Sequence, residues 1–384
     1  MKNIIKLIGK SKNLSKNLEY LYCKIPYIFG NGKAFAPLSI VLLVSYRCNL
    51  RCKMCFYYNE SEKDHTKNLI EKRKNEELSL EQIYKIIDDA SAMKVKVLTI
   101  HGGEPLLYPK IFDVANYAQE KGLLVNFVTN GTLLNKEVAE KIINSRINQI
   151  IFSLDGPEEI HDDIRNVKGT FRRLLSGIKN IKELEKKGKK IPHLCISTYV
   201  SAINQNCLGD MIEIVSKTGI KNWDVGLITH NTEKLTRVTS KILNIGKKEN
   251  QGSLENLKEK VKKIRIGELK NQRKILLEKN KKYKLNIIFP SEKAINNYYN
   301  PNFNEMNYCL IPWSRAVISP YGEVFPCVNL SMINCVMGNI KNNSLRKIWN
   351  GKKYVEFRRK LKKNKLFPVC SKCCHINNVR RLED

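Results

Sequence analysis

The sequence predicts an α/β fold: a partial parallel barrel of six strand–helix units, followed by a small α+β unit at the C-terminal end. Three observations carry that expectation. Short runs rich in Val, Ile and Leu recur between residues 38 and 230, as expected of parallel strands buried on both faces. Segments with helical spacing of apolar residues separate them. From about residue 300 the rhythm gives way to a hairpin pattern, a helix and a cluster of cysteines.

Taken in order, residues 1–37 are a basic lead-in. Their first stretch, MKNIIKLIGKSKNLSKNL, lacks the apolar core and small-residue cleavage site of a secretory signal. It reads as a solvated helix capping the fold, the alternative being a basic amphipathic helix in peripheral contact with a membrane. The strand candidates are SIVLLVSY (39–46), VKVLTI (95–100), LLVNFVT (123–129), QIIFSL (149–154), HLCISTYV (193–200) and WDVGLIT (223–229). The first of them contains the longest apolar run, 38–44, which Ser39 interrupts and which is far too short to span a membrane. In the helical segment 78–93, Ser79 is the expected N-cap with Gln82 three residues on, and Ile83, Ile86, Ile87 and Ala90 follow at helical spacing. The segments 112–122 and 171–188 both end on a glycine, a helix C-cap signal. Six such units in series argue a parallel barrel over residues 38–231. Residues 232–299 break the pattern and read as a Lys-rich helical insertion, with Leu254, Leu257, Val261 and Ile264 at helical spacing. Within 232–284, Lys and Arg outnumber Asp and Glu 17 to 6. In the last unit, 300–384, residues 316–328 suggest a hairpin turning at Pro320, Tyr321 and Gly322, and 344–363 a helix.

The formal net charge is +31. The excess is mostly Lys and forms no Arg-rich stripe interleaved with aromatics, which argues against nucleic-acid binding. A Lys- and Asn-rich composition spread over the surface accounts for it, the alternative being an acidic small substrate or an anionic surface. With no secretory signal the expected location is cytoplasmic, where clustered thiols mean metal or redox chemistry. Eight of the twelve cysteines fall in two groups, while Cys23, Cys195, Cys207 and Cys335 are scattered.

The first group lies in RCNLRCKMCF, residues 47–56, directly after the first strand candidate, with Cys48, Cys52 and Cys55 spaced C-x₃-C-x₂-C. In α/β barrels the loops at the strands' C-terminal ends build the active site. Three thiols are one short of a structural zinc site. Three thiolates hold three irons of a cubane and leave the fourth iron open to a small molecule. GGEP (102–105) then follows the second strand candidate, VTNG (128–131) the third and SLDGPEEIHDDIR (153–165) the fourth.

CNLRCKMC, with these motifs behind it in order, resembles the signature of radical S-adenosylmethionine (radical SAM) enzymes. The resemblance implies a TIM-like partial (β/α)6 barrel, a 4Fe-4S cluster on Cys48, Cys52 and Cys55, and S-adenosylmethionine at the open iron. Gly102, Gly103, Glu104 and Pro105 would engage the methionyl amino group, the Glu104 carboxylate meeting the ammonium. Ser153 and Arg165 would hold the methionyl carboxylate. Asn130 and Asp155 read equally well as nucleotide-site residues and as turn residues bracing the strand ends. The residue before the third cysteine, often aromatic in the family, is Met54 here, which also packs on a ring. The implied chemistry is reductive cleavage of S-adenosylmethionine, with an electron from a reductant such as flavodoxin or ferredoxin, to a 5′-deoxyadenosyl radical that abstracts hydrogen from substrate.

The second group is Cys309, Cys327, Cys370 and Cys373, with Cys374 adjacent as an alternative ligand. The spacing C-x₁₂-G-x₄-C, then GNI (338–340) and C-x₂-C, resembles the SPASM extension and its shorter relative, twitch. A structural zinc ribbon is the competing reading. The further cysteines of a full SPASM extension are lacking, so the resemblance implies one auxiliary 4Fe-4S cluster. Cys335 is a further candidate ligand. A fully ligated cluster accepts an electron and so favours a net two-electron oxidation, whereas one with a displaced ligand binds substrate. His101 and His230 sit where barrel loops face the site, as candidate bases or as hydrogen-bonded structural histidines. The expected function is an oxidoreductase acting on a small or sugar-like molecule. The alternative is a peptide- or protein-modifying maturase, although the 37-residue lead-in is short for a leader-recognition domain. A non-catalytic metal-binding module acting on nucleic acid is the distant third, and GGEP and SLDG in barrel register argue against it.

Overall fold

The structure is a computed structural model that describes residues 14–55, 57, 70–229, 232–246, 264–299 and 308–373. His230, Cys374 and the expected helical positions Leu254, Leu257 and Val261 lie outside the described residues. The six expected strands are present as β1 (Ser39–Leu43), β2 (Val97–His101), β3 (Leu124–Thr129), β4 (Gln149–Ser153), β5 (His193–Val200) and β6 (Asn222–Leu227), all pairing in parallel and in chain order. Between and around them lie α1 (Leu14–Phe29), α2 (Leu80–Ala92), α3 (Ile111–Glu120), α4 (Lys136–Asn144), α5 (Glu158–Arg165), α6 (Thr170–Lys186) and α7 (Leu208–Lys217). The Ser79 capping box forms as read: its hydroxyl accepts from the Gln82 N–H at 3.3 Å, and Gln82 Oε1 accepts from the Ser79 N–H at 2.9 Å. Gly122 and Gly188 carry the positive φ of helix-ending residues.

The sheet extends beyond six strands at both ends. After α8 (Glu233–Leu243) and α9 (Ile266–Tyr283) comes β7 (Asn286–Ile288), which pairs in parallel with β6. After α10 (Glu292–Tyr299) and α11 (Ile311–Ser314) comes β8 (Arg315–Ile318), which pairs in parallel with β1, Ser39 opposite Arg315 and Leu42 opposite Ile318. β9 (Glu323–Phe325) closes the expected hairpin on β8, with Gly322 at φ +84° in its turn. Then follow α12 (Val328–Ser331) and β10 (Gly338–Asn339), so that the described strands form one sheet in the order β10-β9-β8-β1-β2-β3-β4-β5-β6-β7. The expected helix over 344–363 is two, α13 (Leu345–Trp349) and α14 (Lys352–Lys363), because Gly351 stands in extended backbone as the N-cap of the second.

Alternation along the strands sorts two faces. Outward residues such as Ile40, Leu98, Phe127, Ile150 and Ile196 are fully buried against the helices, each contributing roughly 1.5–3 kcal/mol by burial. On the inner face Val41 and Leu43 form a separate small cluster with Val317 and Phe325. Elsewhere that face is half-buried and carries the polar residues Thr99, His101, Asn126, Ser153, Ser197 and Asp224 among apolar ones such as Val128 and Ile151. α1 closes the base of the lumen and is held there by the C-terminal segments. Tyr20 and Tyr308 hydroxyls meet at 3.0 Å, and Tyr27 packs edge-on against Trp313. Beneath it, the buried Arg358 guanidinium donates to the carbonyls of Pro312 and Trp349, both at 2.8 Å, and lies over the rings of Trp349 and Tyr354. With carbonyls and rings instead of a carboxylate around it, burial lowers its pKa to about 10. Among the described residues no helix is long and apolar enough to cross a membrane.

The ladder between β1 and β2 continues past both strands. The Val44 N–H donates to the His101 carbonyl at 3.0 Å, Gly103 to Ser45 at 2.8 Å and Glu104 to Arg47 at 2.8 Å. A Cβ on Gly103 would stand 2.1 Å from the Arg47 carbonyl oxygen, and one on Gly102 2.4 Å from that of Ser45. Gly103→Ala is therefore expected to lower the unfolding free energy by about 2–3 kcal/mol. Gly267→Ala, where a Cβ meets nothing within 4 Å, should be neutral or stabilising by up to about 1 kcal/mol. Urea denaturation of the two variants checks the contrast; equal midpoints would remove the close-approach argument.

Candidate active site

The three-cysteine loop leaves the top of β1 and is fastened on each side. Arg47 donates from Nη2 to Glu77 at 3.2 Å and from Nε to Ser45 Oγ at 3.0 Å, and the Ser45 hydroxyl donates to Glu77 at 2.7 Å. Arg51 Nη1 folds back onto the Cys48 and Leu50 carbonyls at 2.7 and 2.8 Å. The Lys53 N–H donates to the Ile164 carbonyl at 2.8 Å, and its ammonium meets Asp163 at 2.5 Å. Asn130 Nδ2 donates to Asn49 at 2.9 Å, and Asn49 Nδ2 donates to Thr132 at 2.8 Å. The loop is thus tied to the ends of β3 and α5. Ser45, Glu77 and Asn49 are part of this frame, and only their spatial neighbours disclose it.

Cys48, Cys52 and Cys55 form no disulfide among the described residues and are partly exposed. Burial pushes the Cys48 thiol up to about 12; an N–H of Leu50 at 3.4 Å opposes this, and Glu104, Cys52 and Cys55 nearby add to it. The proton stays on such a thiol at neutral pH until a metal displaces it. Among the described residues no three His, Cys, Asp or Glu side chains converge as the ligands of a single ion do. A cubane asks for something different, since each thiolate takes its own iron. Three thiols on one braced loop suit that donor set.

The GGEP segment faces this loop. Glu104 is buried and accepts from the Thr129 hydroxyl at 2.7 Å, the Asn130 N–H at 2.8 Å and the Leu106 N–H at 3.1 Å. Burial raises its pKa, while these donors and the Arg165 charge oppose the rise. Three donors leave a carboxylate with acceptor capacity to spare. Pro105 opens a short 3-10 turn, Pro105–Leu107, that sets the Leu106 N–H toward Glu104.

Arg165 ends α5 and is buried beside the Asp155 carboxylate and the Cys52 thiol. Nη2 is paired with Asp155, Nη1 reaches Cys52 Sγ at 3.7 Å, and Nε has no partner among the described residues. Asp155 also accepts from the Tyr199 N–H at 3.1 Å, and its carbonyl accepts from Asn204 at 2.8 Å. Its side chain therefore braces β4 to the end of β5. Asn130 is engaged likewise, its Oδ1 accepting from the Thr132 N–H at 2.9 Å. Ser153 ends β4 on the lumen face, level with Ser197 and Asp224 on the next two strands. His101 shares that face, beside Leu43. Its Nδ1 accepts from the Gly102 N–H at 2.8 Å and burial lowers its pKa, so the ring is neutral with its proton on Nε2. The sequence reads it as a candidate base or as a hydrogen-bonded structural histidine, and the Gly102 contact is of the second kind.

The C-terminal thiols gather beneath the β8–β9 hairpin. Burial pushes Cys309 up to about 11 and Cys327 to about 12, Cys327 also feeling Cys309 and Cys335. Cys370, raised well above its ordinary value by burial, also feels Cys309 and Cys327. Cys335 is raised to about 12 by burial and by Cys370. Cys373 is buried at the end of the 3-10 helix Pro368–Lys372, its N–H on the Cys370 carbonyl at 3.2 Å. Asn329 Nδ2 donates to the Val369 carbonyl at 3.1 Å and the Val369 N–H to Thr239 at 3.2 Å, so α8 and α12 hold this segment.

The sequence profile of the radical SAM superfamily matches residues 42–200, and that of SPASM, an iron-sulfur cluster-binding domain, matches residues 309–374. The chain is 26% identical over 322 residues to the AdoMet-dependent heme synthase of Methanosarcina barkeri, an alignment covering 82% of each chain. It is 32% identical over 147 residues to the mycofactocin maturase MftC of Mycobacterium ulcerans, covering 38% of this chain and 37% of that one. Among solved structures, SuiB of Streptococcus suis bound to S-adenosylmethionine has the same fold, with a TM-score of 0.62 at 18% identity, over 99% of this chain and 84% of that one. A cysteine loop on β1 zipped to GGE on β2, a lumen behind it and a second nest of thiols joined to the same sheet agree with both profiles: the chain belongs to the radical SAM superfamily and is an iron–sulfur enzyme of S-adenosylmethionine-dependent radical chemistry with a C-terminal SPASM domain.

Proposed function

We propose that the enzyme oxidises a small molecule held in the lumen, with Cys309, Cys327, Cys370 and Cys373 holding one auxiliary 4Fe-4S cluster. The observation that carries this reading is the parallel pairing of β8 with β1. It joins the strand leading to the three-cysteine loop to the hairpin between Cys309 and Cys327, so one lumen serves both thiol groups. When bound, S-adenosylmethionine on the first cluster supplies a hydrogen-abstracting 5′-deoxyadenosyl radical, and the second cluster an electron acceptor. The heme synthase relative, aligned over most of both chains, supports a small-molecule substrate.

The chain's own residues then divide the work. Glu104, already fixed by three donors, turns its remaining lone pairs to the methionyl ammonium. Ser153 and the unpartnered Nε of Arg165 hold the methionyl carboxylate. Asp155 fixes the guanidinium plane so that Nε has one direction. His101 offers Nε2–H to an oxygen of the substrate. A peptide substrate is the second reading, favoured by the match of the barrel to mycofactocin maturase. Incubation with S-adenosylmethionine, dithionite and either iron porphyrins or candidate precursor peptides, followed by mass spectrometry, separates the two.

Two outcomes follow. Replacing Cys48, Cys52 and Cys55 together by Ala should remove about half of the reconstituted iron and abolish 5′-deoxyadenosine; continued release of that product by the triple variant sinks the reading. Glu104→Gln should keep the iron content and weaken S-adenosylmethionine binding by about 1.5–3 kcal/mol, the worth of a charge-assisted hydrogen bond. Equilibrium dialysis measures it, and unchanged affinity would take Glu104 out of the site.

A further inference from the structure

At the base of the lumen, opposite the three-cysteine loop, is a cavity of about 350 Å³. Its lining includes Ser39, Thr99, Asn126, Arg315, Lys96 and Glu19. The first four come from β1, β2, β3 and β8, and Glu19 from α1, which closes the floor. The charges are unequal. Glu19 pairs with Lys96 at 3.7 Å. Arg315 donates from Nε to Ser39 Oγ at 3.1 Å and has no carboxylate within ion-pair reach among the described residues. Its Nη groups have no hydrogen-bond partner among them either, and the residue lines the cavity. A half-buried guanidinium with its fork free is the donor set that carboxylates take in two parallel hydrogen bonds. Burial lowers the Arg315 pKa while Cys327 and Tyr199 oppose the fall, so the charge is held where an anion would relieve its desolvation.

We propose that this cavity is the anchoring end of the substrate site, where Arg315 binds a carboxylate of the substrate. The inference deepens the reading of a lumen-bound substrate and rests on it. It adds a length. From Ser39 to the top of β1 the lumen is about 13 Å deep, at about 3.3 Å per residue. A substrate held at Arg315 and reacting near the three-cysteine loop is therefore elongated, with its anionic group remote from the carbon that loses hydrogen. Binding at a remote group is a general way to orient a reacting centre.

The test uses reconstituted holoenzyme with S-adenosylmethionine bound, compared at equal iron content as wild type, Arg315→Gln and Arg315→Lys. The probes are monocarboxylates graded from hexanoate to pyrenebutyrate, each with its neutral amide, followed by calorimetry and, for the pyrenes, fluorescence anisotropy. Carboxylate binding should weaken about ten- to a hundredfold in Arg315→Gln, recover in part in Arg315→Lys, and amide binding should not change. If no carboxylate binds wild type more tightly than Arg315→Gln, the anchor is overturned. It is overturned equally if Arg315→Gln shifts the midpoint potential of the auxiliary cluster and leaves carboxylate binding alone, because the guanidinium then serves Cys327. Release of 5′-deoxyadenosine by the same wild-type preparation under dithionite judges the radical reading separately: its absence would defeat that reading, and its presence beside a negative binding result defeats only the anchor.

Discussion

Everything functional in this protein hangs from β1, and β1 is held in place by hydrogen bonds on both edges. β2 pairs with it on one side and β8, almost three hundred residues later, on the other. On the β2 side the ladder runs on beyond the strands, through Ser45 and Arg47, until it reaches Glu104. The cysteine loop and the GGEP segment are thereby joined by one continuous ladder. Their relative position is set by backbone hydrogen bonds, which have little freedom, before any side chain adds to it. Gly102 and Gly103 exist in this arrangement because two backbones in contact leave no room for a Cβ.

Side chains around the loop share a pattern. Each is committed to the protein on one side and has capacity left on the other. Glu104 is held by Thr129, Asn130 and Leu106, and Arg165 by Asp155. His101 is held through Nδ1. Groups tied in this way lose little freedom when a ligand arrives, which is the condition for preorganised electrostatics. The cost is burial of charge: the pKa of Glu104 is raised by desolvation even with its donors in place. An arriving ammonium would reverse that shift, so the site favours a cation in its final contact with Glu104.

Much of this was legible in the sequence. The parallel strands announced themselves as Val- and Ile-rich runs, and the Ser79–Gln82 box was readable because it is local. The motif order from RCNLRCKMCF to SLDG placed the site at the strand tops. Other features depend on partners far away in the chain. β7 is a three-residue strand after a Lys-rich helix, with no run of its own to mark it. β8 reads as half of a hairpin, and nothing in RAVI says that its other edge meets β1. Asp155 was balanced between two roles until Tyr199, Asn204 and Arg165 were seen around it. His101 was balanced between a base and a hydrogen-bonded structural histidine, because spacing says nothing about tautomers; the Gly102 N–H on its Nδ1 is visible only in the structure.

The closure of the lumen by α1 bears on how the chain reaches this state. The Ala34 N–H donates to Asn350 Oδ1 at 2.9 Å, and Asn350 Nδ2 donates back to the Ala34 carbonyl at 2.9 Å, across 316 residues of sequence. Trp349 Nε1 donates to the Phe35 carbonyl at 2.6 Å over a similar span. α1 thus has no seat until α13 has been made. β1 likewise waits for β8 to cover its second edge. During synthesis that edge and the apolar side of α1 stay open, and the barrel is completed in a late step of high contact order. Both thiol nests straddle that step. The two thiol groups therefore come together with the closing of α1 against α13, and a nascent protein that has not yet reached Asn350 has no finished floor beneath the lumen.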